Sequence, residues 1–234
     1  MPRPAFFRRL AWSLALLAVS CVPGPGEWAV SPEDGPAGMS AEAWSHGLAA
    51  HNRASLEGRT RSPLVTIIDF SLPSNARRLW VVDISTGGVV AHEHVAHGVR
   101  SGGLYAASFS NRDGSNQSSL GTFVTANSYW GVRGLSLRLQ GLEPGINDRA
   151  WDRGIVLHGT PGVSETRARQ GAIGRTEGCP AVSMEAARRL VPLLEDGVVV
   201  FAWYPDRTLL ARSGYLDPFM AEAARQGIRV TGGN

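Results

Sequence analysis

Apolar and polar positions divide the chain into stretches of different period. From Leu64 onward the texture is that of strands. Leu64–Ser71, Leu79–Ile84 and Val89–Val95 are apolar, β-branched runs of strand length. The last two are joined by Ser85-Thr86-Gly87-Gly88, a turn that predicts a hairpin. Residues 100–119 lose all period and are rich in Gly, Ser and Asn, which predicts a long loop. Further strands are expected at Gly121–Ala126, Leu135–Leu139, Gly154–His158 and Val198–Tyr204. Three helices are expected around them. The first is capped by Ser40 and runs to about His51, with Trp44 and Leu48 on one face. The second starts at Ser183 and ends near Asp196-Gly197. The third opens at Asp217-Pro218 and closes at Gly227. No internal repeat is present. The pattern predicts a mainly β domain over 61–207, preceded by a linker and short helix over 22–60 and followed by a helical extension over 208–234.

The first residues follow another logic. Arg3, Arg8 and Arg9 precede an apolar stretch, Leu10 to Val19, that is shorter than the roughly 20 residues a membrane span needs. Small residues and Cys21 come next. Residues 1–21 read as a signal peptide, and Leu17-Ala18-Val19-Ser20-Cys21 resembles a lipoprotein processing site with Cys21 as the lipidated residue. Ordinary signal cleavage and an uncleaved anchor are the alternatives. Each places the body of the chain outside the cytoplasm, in the periplasm or cell envelope. The Pro/Gly-rich stretch 22–40 suits a tether.

This leader changes the meaning of the charge. The net charge of +3 comes entirely from its three arginines, so the remainder has twenty basic and twenty acidic residues. No basic footprint for nucleic acid remains. The chain contains no lysine, which excludes a Walker phosphate loop and a Ser-x-x-Lys acylation site. No cofactor motif is present.

The two cysteines are Cys21 and Cys179. If Cys21 is lipidated or removed, Cys179 is a single thiol in an oxidising compartment. It is then either a small buried hydrophobe or a nucleophile. Its surroundings favour the nucleophile. Ile155-Val156-Leu157-His158-Gly159 puts a histidine at the end of an apolar strand, where a backbone carbonyl can hold its rear nitrogen. Gly174-Arg175-Thr176-Glu177-Gly178-Cys179-Pro180-Ala181 puts glycine beside the thiol. Acyl transfer through a thioester needs a thiolate, an imidazole base and oxyanion donors. Pro180 has no N–H, so the expected donors are the backbone N–H groups of Gly178 and Cys179.

His-Gly followed by Thr-x-Gly-Cys resembles the L,D-transpeptidase catalytic domain, the YkuD-like peptidoglycan cross-linking family. Gly-Cys-Pro-Ala is similar to its murein branch. VVDISTGGVVAHEHVAHG, GGLYAASFSN, SSLGTF, GLSLRLQGLEPGIND and RGIVLHG extend the likeness over about Leu64 to Tyr204. The resemblance implies a β-sandwich-like catalytic domain with short flanking helices. It implies Cys179 as nucleophile and His158 as base, acting on peptidoglycan stem peptides with loss of the terminal D-alanine. It also implies a substrate groove near His97, Gly159, Thr176 and Glu177, with a hydrogen-bonded structural histidine as the alternative for His97. An L,D-carboxypeptidase and a non-catalytic wall-binding lipoprotein are the alternatives.

Two departures bear on the acceptor. Glu177 stands where the family usually has a second histidine, and Ala181 replaces a polar residue. Other residues have plainer expectations. His92 and His94 share a strand face, but no ligand set completes a metal shell around them. Ser118 and Ser119 are nucleophiles in principle but read as solvated turn residues. Arg138 reads as a surface ion-pair partner or a substrate-carboxylate contact. Tyr129 and Trp130 read as core or groove wall.

Overall fold

The computed structural model describes residue 30 and residues 35–218. The expected leader, Cys21 and the helical extension beyond residue 218 lie outside the described residues.

The order of elements is α1 (Ala41–Leu56), β1 (Leu64–Asp69), β2 (Arg77–Asp83), β3 (Gly88–His94), β4 (Gly121–Gly131), β5 (Gly134–Gly141), β6 (Val156–Gly159), α2 (Glu165–Arg169), β7 (Ala181–Val182), α3 (Met184–Leu193), β8 (Val199–Trp203) and α4 (Arg207–Arg212). The protein is mainly β with few short helices, as the alternation predicts. All eight strands join one sheet in the order β3-β2-β1-β8-β4-β5-β6-β7. β1 pairs antiparallel with β2 and parallel with β8. These central strands are buried almost throughout, which explains their unbroken apolar runs.

The helices cover this sheet. Ser40 Oγ accepts the Ala43 N–H and so caps α1, which packs on β1 and β8. Gly47 permits the close approach, because a Cβ there would meet Ile67 Cδ1 at 2.3 Å. Trp44, Ile67, Trp80, Phe201 and Trp203 fill the core. Ser183 caps α3, which packs on β5 and β6, the strands nearest the candidate site.

Three differences from the sequence reading have local causes. β4 continues to Gly131 because a register shift between Thr125 and Ser128 breaks its alternation without ending the ladder. α1 runs five residues past His51. α2 is too short and polar to show a helical period, although Ser164 caps it.

A buried polar anchor sits beside the core. Arg78 is fully enclosed, with Nε and Nη2 donating to Val95 O, Nη1 to Leu72 O and Nη2 to His97 Nδ1. Its guanidinium also lies 5.0 Å from the Phe70 ring centre. Burial lowers its pKa to about 9. Since Arg only donates, His97 carries its proton on Nε2, which donates to Gly102 O at 3.3 Å. His46 is equally enclosed, tilted against Trp203, and its Nδ1 accepts the Asp217 N–H.

Burial holds both His46 and His97 at a pKa of about 4, below the ordinary 6.5; the neighbouring Arg78 lowers His97 further. The unfolded chain therefore binds more protons between these two values. Each histidine then favours the folded state above pH 6.5 and withdraws that stability as the pH falls toward 4. The loss is at most about 1.4 kcal/mol per pH unit per histidine. Urea unfolding at pH 7, 5.5 and 4.5 is expected to show a falling midpoint. A constant midpoint would contradict this assignment.

Candidate active site

Strand pairing brings the two candidate residues together. β5 pairs with β6, setting Ser136 opposite His158. β6 runs parallel to β7, setting His158 opposite Ala181. Cys179 lies two residues before Ala181, on the segment that enters β7. The imidazole is fixed from behind. His158 Nδ1–H donates to the carbonyl of the next residue, Gly159, at 2.9 Å. Nε2 thus carries the lone pair, and it is buried without a hydrogen-bond partner. The Cys179 thiol donates to Gly154 O at 3.6 Å, and no hydrogen bond links it to His158. Each residue is 3% exposed. The two residues stand on neighbouring segments, unlinked and covered.

The turn carrying the thiol is clasped by the long loop that follows β3. Ala96 N–H donates to Ala181 O, Val99 N–H to Thr176 O, and Thr176 N–H to His97 O. Ser118 adds a side-chain bridge. Its Oγ accepts the Gly98 N–H and donates to Gly178 O, each at 3.0 Å. Arg153 ties down the far part of the loop through Ser110 O, Ser115 Oγ, Gln117 O and Ser119 Oγ. Gly178 has φ 128°, and a Cβ there would meet Gln117 O at 2.8 Å. Only glycine suits that place.

With this geometry in hand, the comparisons decide the family. A family model described as the L,D-transpeptidase catalytic domain matches residues 36–203. The chain belongs to that family. The match begins just before the cap of α1 and ends with β8, so it takes in the sheet, the clasp and the Cys179 turn. Solved structures are more distant. An L,D-transpeptidase from Mycobacterium smegmatis is 13% identical, with a TM-score of 0.39, over 61% of this chain and 59% of that one. The chain therefore spans 59% of that protein's length. The helical cell shape determining protein Pgp2 from Campylobacter jejuni is 13% identical, with a TM-score of 0.39, over 78% of this chain and 62% of that one. An L,D-transpeptidase from Xylanimonas cellulosilytica is 17% identical, with a TM-score of 0.31, over 72% and 81%. The search of curated proteins found no match.

Several expectations for this L,D-transpeptidase-family site need correction. Gly178 N–H was expected to face an oxyanion. It donates instead to Thr176 Oγ1 at 3.1 Å, and that hydroxyl donates to Cys179 O at 2.7 Å. The Cys179 N–H has no hydrogen bond among the described residues, so the expected pair of donors is reduced to one. Thr176 is buried and braces the turn rather than lining a groove. His97 is fully enclosed beneath the loop, held between Arg78 and Gly102. Gly159 faces α3, where a Cβ would meet Ala187 and Met184 at 3.0 Å. Of the four groove candidates, only Glu177 is open to solvent, and it pairs with Arg133 at 2.6 Å.

The other side chains also differ from their simplest readings. Ser118 and Ser119 are buried hydrogen-bonding residues, not solvated turn residues. Arg138 stacks on Tyr129 and Trp151 at 4.4 and 5.0 Å. Trp130 is 81% exposed at the hairpin tip, outside the core. His92 stacks on Trp80 and donates to Arg77 O, while His94 pairs with Glu165. No cluster of three or more metal-binding side chains occurs among the described residues. A cleft of about 500 Å³ lies beyond β6, at the start of α3. It touches neither Cys179 nor His158, and four of its charged side chains pair as Arg77–Glu165 and Arg189–Glu93.

Sequence reasoning did not find the roles of Ser118, Arg153 or Arg133. Ser118 lies inside SSLGTF, which marked the segment but not the role. Arg153 and Arg133 act across the fold, and nothing local marks them.

Burial raises the Cys179 pKa. A backbone hydrogen bond from Val156 and the charges of Arg133 and Arg153 oppose that rise, while Glu177 adds to it. Burial lowers the His158 pKa, opposed by its bond to Gly159 and reinforced by Arg133. Both directions favour the uncharged thiol and imidazole over the ion pair. Alkylation of Cys179 by iodoacetamide is therefore expected to be slow at pH 7 and to keep rising beyond the ordinary thiol value, about 8.5. A rate already on its plateau at pH 6 would indicate a preformed thiolate.

Proposed function

We propose that this chain is a peptidoglycan L,D-transpeptidase acting through a thioester on Cys179. The observation carrying this reading is the His158 ring, whose Nδ1–H is held by Gly159 O and whose bare Nε2 lies on the strand beside the Cys179 turn. A histidine fixed in that tautomer is prepared to accept a proton.

The mechanism follows from these positions. His158 Nε2 takes the thiol proton as Sγ attacks the carbonyl of the third stem residue. The Sγ–C bond forms and the carbonyl electrons move onto oxygen, toward the Cys179 N–H. When the carbonyl returns, the C–N bond to the terminal D-alanine breaks, and the His158 proton goes to the departing amine. The stem is left as a thioester. An amine of a neighbouring stem then attacks, gives its proton to His158, and releases Sγ, which His158 reprotonates. Because the thiol and imidazole are both covered and not yet bonded, substrate entry must shift the segments above them. The reactive pair is completed on binding rather than in advance.

The family and the leader support a place in the cell envelope, with the domain tethered through a lipid on Cys21. No helix among the described residues is long and apolar enough to cross a membrane.

Chromatography and mass analysis of tetrapeptide muropeptides incubated with the protein test this reading. Free D-alanine and cross-linked dimers are expected. His158→Gln is expected to slow product formation by about 10²–10⁴-fold, the usual worth of a positioned base. Cys179→Ala is expected to abolish it. Tripeptides without dimers would identify water as the acceptor and the enzyme as a carboxypeptidase. Product formation at an undiminished rate by Cys179→Ala would refute the thioester.

A further inference from the structure

Arg133 occupies the two-residue turn of the β4–β5 hairpin, between the paired Gly131 and Gly134. Three residues further on, Ser136 pairs with His158. The turn thus lies near the end of the strand carrying the histidine. From there Arg133 Nη2 reaches Glu177 Oε2 at 2.6 Å. Glu177 precedes the thiol by only two residues. Arg133 therefore joins the hairpin tip to the cysteine turn, across the candidate site.

Its bonding is incomplete. A guanidinium has five N–H donors. Glu177 engages one, and Arg133 makes no other hydrogen bond among the described residues. Its side chain remains 37% exposed, and that of Glu177 70%. Arg153, the second guanidinium whose charge acts on the thiol, is unlike it. Arg153 donates to four oxygens of the 110–119 loop and has a structural task. Arg133 is a cation beside the thiol with donors to spare, already holding a carboxylate.

The reaction brings a second carboxylate to the same place. The leaving D-alanine is one residue beyond the attacked carbonyl. Its terminal carboxylate is therefore about one residue length, ~3.8 Å, further along the chain. A planar guanidinium fork matches a carboxylate through two parallel hydrogen bonds. The ion pair now present is solvent-exposed, and such pairs are weak and easily exchanged. The tip itself is open to solvent, with Trp130 and Val132 largely exposed.

We propose that Arg133 binds the C-terminal carboxylate of the donor stem peptide, and that Glu177 occupies the same guanidinium until the peptide arrives. This assignment rests on the reading of Cys179 as the acylated thiol. It gives Glu177 a purpose where the family usually has histidine. It also makes the hairpin tip a length gauge, because a stem longer by one residue would carry its carboxylate past the guanidinium.

Binding without turnover separates this proposal from the chemistry. The full chain carrying Cys179→Ala is titrated calorimetrically with a stem tetrapeptide ending in a free carboxylate, and with the same peptide ending in an amide. The free acid is expected to bind about tenfold more tightly, the scale of a charge-assisted hydrogen-bonded pair. Adding Arg133→Ala is expected to erase that difference while leaving amide binding unchanged, and Arg133→Lys to keep part of it. Adding Glu177→Gln is expected to tighten binding of the free acid alone. A tenfold preference that survives Arg133→Ala overturns the proposal. So does an equal loss for both peptides, or no binding of either. The thioester is judged separately, by adduct formation on the protein with Cys179 intact. An adduct there with an unchanged preference in Arg133→Ala would reject the carboxylate site alone.

Discussion

The clasp between the loop after β3 and the Cys179 turn is the constraint on which the site depends. The turn has little regular structure of its own. It meets the sheet only through the two-residue strand β7. Its position comes from Ala96, Val99 and His97 backbone bonds and from Ser118, which reaches Gly178 O from 60 residues earlier in the chain. Gly178 completes the fit by letting the Gln117 carbonyl approach where a Cβ would stand. The same arrangement explains why Gly178 N–H is turned inward to Thr176. Conformational order at the thiol is obtained by using a donor that a sequence reading assigns to the reaction.

Electrostatics and covering act together. Burial disfavours charge on both Cys179 and His158, and the local arginines only partly relieve this for the thiol. A neutral, enclosed pair is resistant to unwanted alkylation and oxidation. On the proposed thioester reading, activation accompanies substrate binding. The Arg133–Glu177 bridge lies where such an event would begin, because it links the exposed hairpin tip to the residue two before the thiol.

The parts legible in the sequence were those written in short periods or in distinctive residue types. The β-branched runs gave the strands, including the parallel core pair whose sequences Leu64–Asp69 and Val199–Trp203 are apolar almost without alternation. Ser40 and Ser183 marked two helix starts through their capping hydroxyls. His158 and the Cys179 turn stood out as chemistry at the end of a strand. What escaped was set by contacts distant in sequence. His97 could be read as a groove residue or a structural histidine, and only its contacts with Arg78 and Gly102 decide for the second. Ser118 looked like a solvated serine, yet it bridges two backbone segments. Trp130 looked like core or groove wall, yet it stands exposed at the hairpin tip. In each case the neighbours that determine the role come from another strand or loop, and no local pattern encodes them.

The central claim is that Cys179 becomes acylated by a stem peptide, and peptide mapping tests it most directly. The protein is incubated with tetrapeptide stems, quenched in acid and digested after arginine. Cys179 then falls in the fragment Thr176–Arg188, which holds no other cysteine. The account predicts a tripeptide acyl group on that fragment, localised to Cys179 by fragmentation and absent from His158→Gln at early times. An acyl group on any other residue, or turnover with Thr176–Arg188 unmodified throughout, would contradict it.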